Sequence, residues 1–118
     1  MSRAEGTWGE ALVAGYLRRR GCRLAGHSYH CRMGEIDLIA WDGGTLCFVE
    51  VKTRTNLQMG LPREYVTAKK QERIRKTALF YLSSHELDCP VRFDVAEVYA
   101  AAPGDPGARI EYIEDAFQ

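Results

Sequence analysis

The segment GEIDLIAWDGGTLCFVEVKTR, residues 34–54, constrains the fold of this chain more than any other stretch. It contains two apolar runs, Ile36–Trp41 and Leu46–Val51, which are predicted to be β-strands. The Gly-rich sequence between them, Asp42-Gly43-Gly44, is typical of a tight hairpin turn. The segment therefore predicts an antiparallel pair of strands, and this pair carries charges that an apolar strand rarely holds.

Three charged residues interrupt this hairpin: Asp37 in the first strand, and Glu50 and Lys52 at the end of the second. Side chains alternate along a strand, so Glu50 and Lys52 share one face. Directly opposed residues of an antiparallel pair point to the same side, so a turn at Gly43-Gly44 puts Asp37 opposite Glu50. A turn at Asp42-Gly43 instead puts Asp37 diagonal to Glu50 on that face. Both turns bring two carboxylates and one ammonium together.

Paired carboxylates of this kind predict a site for a divalent cation. Two acids this close repel each other and resist ionisation unless a cation bridges them. Mg²⁺ and Mn²⁺ suit hard oxygen ligands and bind proteins through one or two carboxylates. Lys52 is then expected to orient or deprotonate a water, or to stabilise charge on a phosphoryl group. The alternative, a cross-strand salt bridge on an exposed face, fits poorly with the apolar Ile39 and Phe48 on the same face.

The composition is that of an ordinary soluble globular chain, with 46% apolar and 27% charged residues. Its 118 residues are expected to form one domain, residues 1–118, in the cytoplasm. No run approaches the ~18 apolar residues that span a bilayer, and the N-terminus lacks the apolar core of a signal peptide, so no membrane association is expected. Residues 1–85 hold 14 Lys and Arg against 8 Asp and Glu, which favours a polyanionic partner.

Hydrophobic periodicity and turn residues predict the remaining elements. A helix over residues 3–20 and a second helix from an N-cap at Thr67 to about Ser83 are each expected to bury an apolar stripe. The stripes are Trp8, Ala11, Leu12, Gly15 and Tyr16 in the first helix, and Ile74, Thr77, Ala78, Tyr81 and Leu82 in the second. The further strands are Leu24–Tyr29, Val91–Tyr99 and Arg109–Ile113, and Thr53–Val66 is predicted to be a mobile loop. The order αβββαββ indicates an α/β fold, in which a mixed sheet has one helix on each side or both on one face.

The start of the second helix is strongly basic. Five cations lie within eight residues and only Glu72 opposes them: Lys69, Lys70, Arg73, Arg75 and Lys76. Phosphate contacts from such a helix give affinity for nucleic acid without reading its sequence. The alternative is an ordinary solvated face, and the hairpin acids favour nucleic acid over that alternative.

Four possible zinc ligands, Cys22, His27, His30 and Cys31, lie close together in the sequence. Neighbouring residues on a strand, such as His30 and Cys31, point to opposite faces and cannot both reach one ion. Ordinary strand and loop residues are therefore the favoured interpretation of this group.

The pattern GEID followed by EVK resembles the motif of the PD-(D/E)xK nuclease superfamily. Together with Gly9-Glu10 and the blocks CRMGEIDLIA, FVEVKTR, VTAKKQERI, RFDVAEV and IEDAF, it resembles the small bacterial YraN-type family of proposed endonucleases, related to archaeal Holliday-junction resolvases. The resemblance covers nearly the whole chain and implies a restriction-endonuclease-like αβββαββ core. The proline that gives the motif its name is absent, and Ile36 stands before Asp37.

The resemblance also implies roles for single residues. Asp37 and Glu50 would bind the metal, Lys52 would be the catalytic lysine, and Glu10 would be an additional acid near the metal. Gln71 falls where many superfamily members carry a polar helical residue near the site. A salt bridge or a buried helix cap is the alternative role for Glu10.

The sequence thus predicts a metal-dependent endonuclease that acts on nucleic acid, with DNA favoured over RNA and branched or repair intermediates among its substrates. Mg²⁺ or Mn²⁺ would be held by Asp37, Glu50 and the Val51 carbonyl, and phosphates would contact residues Lys69, Lys70, Gln71 and Arg73. The alternatives are a non-catalytic nucleic-acid-binding module of the same fold and a purely structural partner protein. A homodimer would be needed to cut two strands symmetrically, although no segment indicates an interface.

Overall fold

A computed structural model describes residues 3–55 and 66–118 of the chain. The elements follow one another as α1 (Arg3–Arg19), β1 (Arg23–Cys31), β2 (Gly34–Asp42), β3 (Thr45–Thr55), α2 (Ala68–Ser84), β4 (Val91–Ala100) and β5 (Arg109–Phe117). This is the predicted order αβββαββ. No helix within these ranges is long and apolar enough to cross a bilayer.

The five strands form one mixed sheet in the order β1-β2-β3-β4-β5. β1, β2 and β3 form an antiparallel meander, β4 runs parallel to β3, and β5 returns antiparallel to β4. Parallel neighbours need a crossover connection, and the segment that holds α2 provides it between β3 and β4. The sheet is therefore mixed, as predicted, and the arrangement is consistent with a restriction-endonuclease-like core.

One helix covers each face of the sheet, which settles the alternative that the sequence left open. Val13 and Leu17 of α1 pack with one set of strand residues, among them Val49. Ile74 and Tyr81 of α2 pack with the other set, which includes Ile39, Phe48 and Val95. Alternate residues of β3 therefore face α1 and α2, so both faces of this central strand are buried.

The buried stripe of α1 is rotated from the predicted one. Within residues 7–19 of this helix, the buried residues are Gly9, Val13 and Leu17, each one helical turn from the next, whereas Ala11 is exposed. A methyl group at Gly9 would overlap the hydroxyl of Thr53 in β3, so the helix backbone lies close to the sheet at this glycine. Residues of the predicted stripe that flank this line are only partly buried: Trp8, Leu12, Gly15 and Tyr16. The stripe of α2 was predicted correctly except at its margin, because Leu82 is only partly buried.

Two strands, β3 and β5, extend four residues beyond their predicted ends. Thr53–Thr55 were predicted to begin a loop, but they continue β3 and pair with 98–100 of β4. The rest of that predicted loop, residues 56–65, lies outside the described part of the chain. β5 continues to Phe117, whose ring stacks on Phe93 with 5.2 Å between centroids. Cross-strand pairing and aromatic packing, which a local pattern does not reveal, extend both strands.

A fully buried carboxylate, Asp94, joins β4 to β5. Arg92 donates hydrogen bonds to both carboxylate oxygens at 2.9 and 3.0 Å. The Tyr112 hydroxyl donates at 2.6 Å and the Asp115 backbone N–H at 2.9 Å. No role was predicted for Asp94 from the sequence. Asp94 is satisfied as a buried charge must be, and its partners lie where the register between β4 and β5 shifts.

Candidate metal and nucleic-acid site

The hairpin has the register that a turn at Gly43-Gly44 predicts. Paired residues run from Asp42 with Thr45 at the turn to Leu38 with Val49. One further step along the same register sets Asp37 opposite Glu50. Because Glu50 follows Leu46 and Phe48 in the alternation of β3, its side chain lies on the face covered by α2.

The carboxyl groups of Asp37 and Glu50 are neighbours at the end of this ladder. Glu50 is only 8% exposed, and Asp37 is half-buried. Burial, and then the charge of Glu50, raise the pKa of Asp37 to about 8, although a hydrogen bond from the Val51 backbone N–H lowers it. A side-chain hydrogen bond with Glu50 raises the pKa of Asp37 further. The two acids therefore resist carrying two negative charges without a cation beside them.

Lys70 of α2 forms an ion pair with Glu50. The start of α2 sets this contact, because the Thr67 side chain caps the helix and accepts a hydrogen bond from the Lys70 backbone N–H at 3.1 Å. The Lys70 side chain is 49% exposed, whereas its partner is buried. From the sequence, Lys70 was expected to contact phosphates, and this ion pair was not predicted.

A cleft of about 680 Å³ opens above these groups. Four acids and three basic residues are among the residues that line it: Glu10, Glu35, Asp37, Glu50, Lys69, Lys70 and Arg73. The acids come from α1, β2 and β3, and the basic residues all come from the first two turns of α2. The cleft therefore offers oxygen ligands on its sheet side and cationic side chains on its helix side.

Glu10 of α1 reaches the same cleft. The Ser28 hydroxyl donates a hydrogen bond to it at 3.3 Å. Burial raises the pKa of Glu10, the Ser28 hydrogen bond and His27 lower it, and the charges of Glu50 and Glu35 raise it again, with a net increase. Within residues 3–55 and 66–118, however, no three Asp, Glu, His or Cys side chains gather closely enough to hold one ion. Glu10 thus borders the acid pair without completing a set of three.

Lys52 lies one step beyond Glu50 on the same face of β3, where it is partly buried and pairs with Glu97 of β4. It is not among the described residues that line the cleft. Gln71 donates a hydrogen bond from its side-chain amide to the Val66 carbonyl at 2.9 Å and lines a separate, smaller cavity beside Glu97. Of the residues predicted to bind phosphate, Lys69, Lys70 and Arg73 therefore line the cleft that holds the acid pair. Gln71 lines the separate cavity instead.

Glu97 is a buried acid that the sequence-based prediction missed. It is 1% exposed, and it accepts hydrogen bonds from Arg54 at 3.3 Å and from the Tyr99 hydroxyl at 3.2 Å. Its signal in the sequence was its position in an apolar strand, where a lone charge needs partners on neighbouring strands. Its place opposite Lys52 puts a second negative charge near the predicted catalytic lysine.

The donor set fits Mg²⁺ or Mn²⁺. Both ions take oxygen ligands and are commonly held by one or two carboxylates, with waters completing the coordination. Asp37 and Glu50 are such a pair. Burial, and then the charge of Glu50, raise the pKa of Asp37, and a bound cation would offset both effects. Val51 also lines the cleft, and its carbonyl stays a predicted ligand.

Fold and cleft together define an α/β protein with a mixed five-stranded sheet, in which a pair of adjacent acids faces a basic helix. The chain belongs to the uncharacterised protein family UPF0102, whose sequence profile matches residues 9–98. It is 47% identical over 114 residues to a UPF0102 protein of Syntrophus aciditrophicus, covering 96% of this chain and 87% of that protein. It is 40% identical to a UPF0102 protein of Alkaliphilus metalliredigens, covering 99% of this chain and all of that protein (100%).

A third relative is a UPF0102 protein of Geobacter sulfurreducens. The two chains are 45% identical over 114 residues, which are 96% of this chain and 88% of the relative. These matches place the chain in a family of proteins of similar length, and the family description gives no activity.

Proposed function

We propose that this protein is a metal-dependent endonuclease that hydrolyses phosphodiester bonds in nucleic acid, with DNA as its substrate. The observation that carries the proposal is the meeting of Asp37 and Glu50 in one cleft with Lys69 and Arg73. Hydrolysis of a phosphodiester requires positive charge beside the non-bridging oxygens and an activated water for attack. The basic side chains suit the first requirement, and a cation held by the two acids would suit both.

Asp37 and Glu50 are the residues that would hold Mg²⁺ or Mn²⁺, with the Val51 carbonyl beside them. Such an ion supplies positive charge to a phosphate oxygen and lowers the pKa of a water. Lys52 lies on the face of β3 that carries Glu50, and it is assigned to the attacking water. It would either orient this water or take a proton from it. Glu10 lines the same cleft and is assigned to the same water network.

Lys69 and Arg73 are assigned to phosphates that flank the scissile bond. Both line the cleft and both are exposed, so they can reach a polyanion without losing a buried partner. Contacts of this type fix the backbone of the nucleic acid and carry no sequence information. The resemblance to resolvase-like nucleases supports DNA, including branched forms, as the substrate.

The experiment is a cleavage assay on branched, flapped and linear DNAs and on RNA, in Mg²⁺ or Mn²⁺. The proposal expects cleavage of DNA by the wild type and its loss in Asp37→Asn and Glu50→Gln. Asp88→Asn removes an exposed carboxylate beyond the far end of α2 and serves as the matched control. Cleavage that persists unchanged in both acid variants would overturn the assignment of the site.

A non-catalytic nucleic-acid-binding module is the second candidate. It is favoured by the finding that no three Asp, Glu, His or Cys side chains in the described part of the chain gather closely enough to hold one ion. This candidate predicts salt-dependent DNA binding with no cleavage in either metal. If neither DNA nor RNA is bound or cut, both candidates fail and a structural partner role is left.

A further inference from the structure

We propose that the Lys70 ammonium occupies the metal-binding side of Glu50 in the metal-free protein and is displaced from it when a divalent cation binds. The displaced side chain then contacts the substrate phosphate, so metal binding exposes a phosphate ligand. This inference rests on the proposed function, because it concerns the same cleft and the same cation. It gives Lys70 a role distinct from that of its neighbours Lys69 and Arg73.

The contact between Lys70 and Glu50 compensates a buried charge. Glu50 is 8% exposed, so its carboxylate has little access to water and relies on nearby groups for its charge to be tolerated. Lys70 supplies one positive charge to it directly. The neighbouring Asp37, itself a carboxyl group, offers no positive charge to Glu50.

A divalent cation and the Lys70 ammonium compete for the same carboxylate. Mg²⁺ binds a carboxylate oxygen at about 2.0–2.1 Å and needs nearly ideal geometry around itself. An ammonium held on that carboxylate would be a like charge within a few ångströms of the ion, and the two would repel each other. The cation therefore binds more easily when Lys70 has moved away.

Lys70 is a half-exposed side chain with solvent beside it, whereas Glu50 lies on a central strand of the sheet. The Lys70 side chain is 49% exposed, while its backbone is held by the Thr67 cap at the start of α2. Glu50 sits in the middle of β3, which has paired strands on both sides. Because Lys69 and Arg73 line the same cleft, a released Lys70 stays among residues assigned to phosphates.

Mn²⁺ titration by calorimetry of the full chain tests the competition. Lys70→Ala is expected to bind Mn²⁺ about three- to fivefold more tightly than the wild type, the upper part of the range that loss of one such ion pair implies. Lys69→Ala removes the same charge from the same turn without an ion pair to Glu50, and its affinity is expected to stay within about twofold of the wild type. Lys70→Arg keeps the ion pair and is expected to resemble the wild type.

If the Mn²⁺ affinity of Lys70→Ala equals that of Lys69→Ala, or is lower than that of the wild type, then Lys70 does not compete with the cation. Tight binding in Lys70→Arg as well would also overturn the competition, since the charge would then be irrelevant. If neither the wild type nor Lys70→Ala binds Mn²⁺, then both this inference and the proposed function are wrong. If the wild type binds Mn²⁺ and cleaves DNA, but Lys70→Ala binds Mn²⁺ no more tightly than the wild type, then this inference fails and the proposed function stands.

DNA binding without cleavage gives a second readout. The inference expects Lys70→Ala to bind DNA like the wild type in EDTA, where Lys70 is engaged by Glu50, and more weakly than the wild type in Ca²⁺. The slope of log affinity against log salt should differ between the two proteins by roughly 0.9 in Ca²⁺ and by little in EDTA. Lys69→Ala should weaken binding in both. Equal effects of Lys70→Ala in EDTA and in Ca²⁺ would contradict the release of Lys70 by metal.

Discussion

Asp37 accepts a hydrogen bond from the Val51 backbone N–H at 2.8 Å, just beyond the last paired residues of β2 and β3. A side chain has thus taken over a contact that strand pairing would otherwise make. The backbone of the neighbouring strand holds the Asp37 carboxyl group next to that of Glu50. This hydrogen bond positions the acid pair independently of any ligand. An asparagine at this position keeps an oxygen that can accept the same hydrogen bond.

The first prediction concerns Asp37→Asn and pH. Because the folded protein raises the pKa of Asp37 from 3.8 to about 8, folding favours its protonated form. The stability that this group contributes is complete below about pH 4 and is lost as the pH rises through about 8. In EDTA, denaturant unfolding at pH 9 should find Asp37→Asn more stable than the wild type, by about 1–3 kcal/mol.

The difference between the two proteins should shrink toward pH 5, where the wild-type carboxyl is protonated in the folded state. A variant that is less stable than the wild type at both pH values would contradict the raised pKa. Glu50→Gln is a poorer probe of this effect, because it also removes the ion pair with Lys70.

The second prediction concerns stabilisation by Mg²⁺. A cation that binds only the folded protein stabilises it by mass action, by about 1.4 kcal/mol at a concentration ten times its Kd. The wild type should therefore melt at a higher temperature in millimolar Mg²⁺ than in EDTA, and Asp37→Asn should gain less. Asp88→Asn, outside the cleft, should gain as much as the wild type. Identical melting with and without Mg²⁺ in all three proteins would count against a metal site.

The third prediction concerns the contact of α1 with the sheet. Gly9→Ala forces a methyl group onto the Thr53 hydroxyl, so α1 has to shift, and we expect a loss of about 1–3 kcal/mol in the free energy of unfolding. Gly15→Ala is the matched control in the same helix, because its new methyl meets only the flexible end of Arg19. It should be neutral or stabilise by up to about 1 kcal/mol.

Thr53→Ala should partly rescue Gly9→Ala, since the Thr53 hydroxyl has no hydrogen-bond partner among the described residues. Chemical denaturation of the two single variants and the double variant measures this coupling. If Gly9→Ala unfolds like the wild type, then the close approach at this glycine does not limit the position of α1.

How far the sequence predicted the fold depended on whether the deciding contact was local. Both turns that the hairpin sequence allowed put Asp37 and Glu50 on one face, so this shared face could be derived from the residues of one hairpin. The structure selected the register of the turn at Gly43-Gly44. The stripe of α1 could not be derived in this way, because several helix faces were apolar enough and the fit of Gly9 against Thr53 selected one. Local periodicity does not contain that information.

For the site, too, the contacts within one hairpin were predicted and the contacts between distant elements were not. The acid pair lies within one hairpin and follows from spacing alone, whereas the ion pair between Lys70 and Glu50 depends on how α2 lies across the sheet. The buried acids Asp94 and Glu97 were overlooked because the partners that make their burial tolerable lie on other strands or further along β4. Tertiary packing, not sequence spacing, brings these partners together.

The last prediction separates catalysis from binding. Lys52 is assigned to the attacking water and Lys69 and Arg73 to phosphates, so their loss should have different effects. Lys52→Ala should abolish Mg²⁺-dependent cleavage while DNA affinity, measured by fluorescence anisotropy in Ca²⁺, stays within about twofold of the wild type. The double variant Lys69→Ala with Arg73→Ala should weaken binding to branched, flapped and linear DNAs alike, because phosphate contacts do not read sequence.

The salt dependence makes this separation quantitative. Each lost phosphate contact removes roughly 0.9 from the slope of log affinity against log salt, so the double variant should flatten it by up to about two units. Arg19→Ala with Arg109→Ala removes two exposed positive charges outside the cleft and should leave the slope near that of the wild type. Equal flattening by both double variants would mean that DNA is attracted by overall charge rather than held in this cleft. Strong loss of DNA affinity in Lys52→Ala would instead assign Lys52 to phosphate binding and not to the water.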